Sequence, residues 1–176
     1  MKRLTMSNTP KSDAAPETLE NGTAAAGEAG QSPQEQPSLR ILGQYLKDLS
    51  FENPNAPQSL SQEQPEISVS VNVNARPLAT NDFEVELHLD AKAMAKDKVA
   101  FATELVYAGT FRLENFPQQL LHPAVLIECP RLLFPFARQI LAEATRNGGF
   151  PPLMLDPIDF AAMYQRRMQQ QTVGQA

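Results

Sequence analysis

From Ile67 to Asn74 every odd position is a β-branched apolar residue and every even position is Ser or Asn. That period of two predicts a half-buried strand. The alternation returns from Phe83 to Leu89, with Glu84, Glu86 and His88 on the polar side, and the seven residues Arg76–Asp82 between the two runs suit a hairpin connection. Val99 to Leu113 alternates differently. Phe101, Leu105, Tyr107, Phe111 and Leu113 share one face, while Ala100, Ala102, Val106 and Ala108 share the other, where Glu104 and Arg112 are the only charges. A strand apolar on both sides is either central in its sheet or meets a second subunit with its second face. An earlier strand is predicted from near Ser38 to the turn Asn53-Pro54-Asn55-Ala56-Pro57; strict alternation puts Tyr45, Lys47, Leu49 and Phe51 on one face and Leu46, Asp48, Ser50 and Glu52 on the other.

Helical spacing replaces alternation after Asn115. Gln118–Ile127 predicts a short helix weakened by Pro123. Cys129–Gly149 predicts the main one, with Leu132, Leu133, Phe136, Ile140, Leu141 and Ala144 on its buried face. Because proline lacks the N–H an interior turn donates, regular helix is expected to begin near Pro135, and Gly148-Gly149 to end it in a left-handed turn. Phe150–Leu155 is expected to be extended. Asp156-Pro157-Ile158-Asp159 then reads as a helix start with Asp156 as cap, followed by a stripe of Phe160, Met163, Tyr164 and Met168 that is either core or the wall of an apolar groove. Together these elements predict an α+β fold in which helices cover one face of an antiparallel sheet.

Composition narrows the function. A formal charge of -5 and a pI near 5.1, with no basic stripe, argue against nucleic acid as a partner. The single cysteine, Cys129, allows no intrachain disulfide and no cysteine-cluster zinc site, which points to a reducing compartment. Lys2 and Arg3 are not followed by the apolar run of a signal peptide, and no later segment approaches the ~18 apolar residues of a membrane span. The expected location is therefore the cytoplasm, without membrane insertion. Residues 1–37 are poor in large apolar side chains and predict a disordered leader; residues 38–169 form the domain and 170–176 a short flexible tail.

Catalytic machinery is not expected. His88 and His122 have metal-ligand spacing neither with each other nor with Cys129, and there is no phosphate-cradling glycine loop, GxSxG elbow or nucleotide site. No cofactor or metal is called for. A hydrolase built on Cys129 and His122 is a distant alternative.

Three stretches change the picture: Ser50–Pro57 (SFENPNAP), Cys129–Arg138 (CPRLLFPFAR) and Gly149–Phe160 (GFPPLMLDPIDF). In sequence, order and spacing they resemble the signatures of the SecB protein-export chaperone family, over roughly Leu39 to Gln171. The chain has no Trp, which members often carry in the loop before Pro65. The resemblance implies a four-stranded antiparallel sheet packed by helices on one face and a homotetramer built as a dimer of dimers. It also implies an ATP-independent chaperone that binds unfolded preproteins and delivers them to the SecA motor ATPase. It implies an oligomer interface involving Phe101, Thr103, Leu105 and Tyr107. For SecA it implies a docking surface of Asp48, Glu52, Ala102 and Glu104. The client groove is expected between Ile67, Val69 and Val71 and the last helix at Phe160, Met163 and Tyr164, with Phe136 nearby. Two further readings remain: a scaffold that binds one folded partner, and a chaperone of the same family serving a toxin–antitoxin system.

Overall fold

A computed structural model of the chain describes residues 36–61 and 65–173. The expectation of a disordered leader therefore lies outside the described residues except at Gln36 and Pro37. Four strands, β1 (Ser38–Glu52), β2 (Glu66–Pro77), β3 (Asp82–Ala95) and β4 (Lys98–Glu114), form one antiparallel sheet in the order β1-β4-β3-β2. β2, β3 and β4 follow one another as a meander. β1 reaches over to pair with β4, which makes β4 an interior strand.

Two bulges in β1 overturn the strict alternation expected there. The register with β4 slips between Ile41 and Gly43 and again between Leu46 and Asp48. An extra residue reverses the side-chain parity beyond it. Leu46 therefore lies opposite Tyr107, on the side of Leu49 and Phe51, whereas Tyr45, opposite Ala108, joins Asp48, Ser50 and Glu52.

The helices cover a single face. α1 (Gln118–Pro123), a π-helical turn (Ala124–Glu128) and α2 (Cys129–Asn147) make one continuous helical run, so helix does not wait for Pro135. Pro130 would press on the carbonyl of Leu126, four residues back; Leu126 lies in the wider π turn, which gives the ring room. Pro135 sits within α2 with its side chain exposed, and burial of Leu133, Phe134, Ala137 and Leu141 around it outweighs the lost backbone bond. Joined in this way, the run of 30 residues is long enough, and apolar enough over part of its length, to cross a membrane by length and composition alone. Breaking the run at its prolines hid this. Its packing is that of a core helix, because α2 lies on β4 and β3.

The buried row of α2 is Cys129, Leu133, Ala137, Leu141 and Thr145, one residue per turn at i+4 spacing. Leu132 and Phe136, expected on this face, are exposed. The stripe is rotated because Thr145, polar by type, belongs inside: its hydroxyl is within hydrogen-bond reach of the Leu141 and Ala142 carbonyls and accepts the Leu153 N–H at 2.9 Å. Beneath the row lie Leu87, Leu89, Leu105, Phe111 and Leu113. Gly109 lets the helix settle there, since a Cβ at that position would stand 2.8 Å from Leu133 Cδ2.

α2 ends as expected. Gly149, at φ 88°, donates to the Arg146 carbonyl, and Phe150 donates to Thr145, the paired bonds of a left-handed helix stop. The last helix, α3 (Phe160–Val173), departs from expectation at both ends. Asp159 rather than Asp156 caps it, accepting the Ala162 N–H at 2.9 Å, and it runs past residue 169 into the expected tail.

Candidate functional site

The sheet face away from the helices brings together the four residues expected to dock a motor. Across β1 and β4, Ser50 lies opposite Glu104 and Glu52 opposite Ala102, with Asp48 one pair further along. Asp48, Glu52 and Glu104 make no ion pair among the described residues. On the other flank of β4, Asp90 lies opposite Glu104 and Lys92 opposite Ala102. Four carboxylates and one ammonium thus share a flat strip. Asp90 was not singled out from the sequence, because assigning it to the strip requires the β3–β4 register.

Next along this face the charges are paired. Glu84, only 3% exposed, accepts hydrogen bonds from Arg76 Nε and the Tyr45 hydroxyl, and Lys47 Nζ is 3.4 Å away. These donors, Arg76 foremost, hold its carboxyl at about 2. Lys47 also binds Glu86, which lies 3.1 Å from His88 Nε2. The paired network lies over the buried Ala108, beside the unpaired strip.

On the helix side the expected groove is divided. Ile67 and Val69 are 41% and 40% exposed at the outer edge of the sheet, and Val71 is half-buried. Phe160 is core, fully buried with its ring edge-on to Phe134 at 6.1 Å between centroids. Met163 is partly buried against that core. Tyr164 is half-exposed, and its hydroxyl lies 2.9 Å from His122 Nδ1. Phe136 does not join this group. It stacks on Tyr107 toward the β1 side of the sheet, because α2 lies over β4 rather than β2.

The four expected interface residues, Phe101, Thr103, Leu105 and Tyr107, face the helices and are buried within the single subunit. The exposed apolar groups near them are Leu46 and Leu49 of β1, paired with Tyr107 and Leu105, and Leu132 and Phe136, one turn apart on α2. The bulge that places Leu46 here carries no signal in the sequence.

Cys129 is buried, and burial pushes its thiol up to about 12, which keeps it protonated and removes the nucleophile that a hydrolase would need. A cleft of about 520 Å³ opens at the far end of β2, lined by Arg76, Phe83, His122, Leu126 and Arg167 among others. No group of three or more metal-ligating side chains occurs among the described residues.

Residues 32–171 match the family model described as preprotein translocase subunit SecB. The chain is 63% identical to the protein-export protein SecB of Afipia carboxidovorans over 155 residues, covering 87% of this chain and 94% of that one. It is 57% identical to the SecB of Xanthobacter autotrophicus over 149 residues, covering 84% and 96%. Among solved structures it is similar to the SecB-like chaperone of Mycobacterium tuberculosis, determined in complex with a ChAD peptide from the HigA1 antitoxin. The TM-score there is 0.52 at 15% identity, covering 68% of this chain and 90% of that one, a likeness of fold. With an acidic strip on one face of its sheet and open apolar groups on the other, the chain belongs to the SecB family of preprotein-export chaperones.

Proposed function

We propose that the chain works in the cytoplasm as a homotetramer, a dimer of dimers, that captures unfolded preproteins without ATP and hands them to the SecA motor. The observation that carries this is the opposition of surfaces: apolar groups at Ile67 and Val69 on the helix side, unpaired carboxylates at Asp48, Glu52 and Glu104 on the other. A client and a motor would then be held at once without competing. Folded proteins hide their apolar side chains and unfolded ones present them, so open apolar ground selects for non-native chains without reading sequence. Each large side chain buried there contributes at most ~1.5–3 kcal/mol before ordering costs. Repetition over four subunits compensates, since a second segment meets its site at an effective concentration near ~mM. Release needs no nucleotide in this chain when the receiving motor is ATP-driven.

Export is favoured over service to an antitoxin because the similar proteins at 57–63% identity are export proteins, while the mycobacterial chaperone shares only the fold. The test mixes the purified chain with native and unfolded forms of one preprotein and measures mass and binding. A tetramer that retains only the unfolded form is expected; equal retention of the native form would support a scaffold instead.

A further inference from the structure

The sheet ends at β2, and no strand among the described residues pairs with its outer edge. Two observations fix which backbone groups point outward. Arg167 Nη1 of α3 donates to the Val73 carbonyl at 2.9 Å, so that carbonyl faces away from β3. Pro77, four residues on, has no N–H, and a proline is tolerated in a strand where the missing donor would have pointed outward. Residues of that parity, Ile67, Val69 and Val71 among them, turn both N–H and C=O to the open edge. Their side chains also stand on the helix side, where Ile67 and Val69 are exposed. Exposed edges are usually guarded by charge, proline or a bulge. From Ile67 to Val73 this edge has none of the three; its pairing with β3 is regular throughout.

We infer that the edge from Ile67 to Val71 takes an extended segment of a non-native polypeptide as an added antiparallel strand, and that Arg167 closes this frame at Val73. The inference rests on the client-capture reading and gives that site its binding mode. Main-chain hydrogen bonds are made by any sequence. Residues opposite Ile67, Val69 and Val71 lay their side chains on the same face, so a client with apolar groups at alternate positions buries them while its backbone pairs. A folded protein has few free strand edges, which adds discrimination to that of apolar burial.

The test uses a peptide of about nine residues alternating Leu and Ser, long enough to span the open edge, and two N-methylated forms. In one, the Leu amides are methylated; in the other, the Ser amides. In the antiparallel register the Leu amides point at β2, so methylating them should weaken binding to the full chain by about tenfold or more, while methylating Ser should leave it within about twofold. Equal affinities for the two forms, or a loss confined to the Ser-methylated form, would overturn the proposal while leaving client capture standing. An unmethylated peptide that does not bind would overturn the proposal, while client capture is read separately from retention of the unfolded preprotein. Hydrogen exchange supplies the second measurement: the Val69 and Val71 amides should exchange fast in the free protein and slowly with the peptide. Slow exchange without peptide would assign the edge to a second copy and sink the proposal. Arg167→Ala should tighten a peptide of about twelve residues by roughly 2–10-fold, the worth of a freed hydrogen-bond position, and leave one of about six residues unchanged; an equal effect on both would remove Arg167 as the stop.

Discussion

The ring of Phe136 on α2 lies nearly parallel to that of Tyr107 on β4, 6.3 Å between centroids, and half of Phe136 is open to solvent. With Leu132, Leu46 and Leu49 it forms the apolar ground nearest to the residues expected to control assembly. Phe136→Asp is therefore expected to lower the particle mass measured by light scattering while leaving the far-ultraviolet circular dichroism of a folded subunit. Leu105→Asp behaves differently, because a carboxylate at that fully buried position costs upwards of ~4 kcal/mol and unfolds the subunit. An unchanged mass for Phe136→Asp would show that this ground is not an interface.

Asp48→Lys combined with Glu104→Lys reverses two of the unpaired charges on the acidic strip. Motor binding should be lost, with tetrameric mass and capture of an unfolded client retained. Adding salt should weaken the wild-type contact, since exposed charges are screened over ~8–10 Å. Titration calorimetry at low and moderate salt reads this directly, and wild-type affinity in the double variant would leave the strip as ordinary solvated surface.

Glu84 ties stability to pH. Its folded carboxyl, at about 2, lies below the ordinary 4.5, so it contributes stability that is present above ~4.5 and is lost as pH falls toward 2. Because Lys47 and Arg76 are exposed and screened, the contribution is about 1–2 kcal/mol. Glu84→Gln should lower the urea midpoint at pH 7, and the gap to wild type should narrow steadily below pH ~4.5. A gap that does not change with pH would mean the ion pairs contribute nothing.

Tyr164 is half-exposed on α3 and makes its polar contact with His122 alone among the described residues. Tyr164→Ala should weaken capture of an unfolded client several-fold and lower Tm by little. Phe160→Ala, one turn earlier and in the core, should cost the ~3–5 kcal/mol of a lost buried ring and so lower Tm strongly. Parallel losses of stability and binding at Tyr164 would place it in the core as well.

The period-two runs over Ile67–Asn74 and Phe83–Leu89 were legible because one buried face forces strict alternation, and the faces of Val99–Leu113 were read correctly for the same reason. β1 was not: a bulge adds one residue without changing composition, so Tyr45 and Leu46 exchanged faces unannounced. The start of α2 is not legible in the sequence, because proline signals a break locally, whereas the π turn and the burial of Leu133 and Phe134 decide the outcome. The acidic strip was legible through Asp48, Glu52 and Glu104, but Asp90 depends on pairing between strands, which no periodicity reports. Arg167 was invisible for a related reason, since its partner is a backbone carbonyl at Val73.

The place of β1 in the sheet has a consequence for the chain's own birth. Its partner β4 is completed roughly 60 residues later, which at ~5–20 residues per second is ~3–12 s of synthesis. Throughout that interval Leu39, Ile41, Leu46 and Leu49 have been synthesised without the strand that pairs with their backbone. For those seconds each newly made copy presents unpaired backbone and apolar side chains together, the same features by which a preprotein is proposed to be captured.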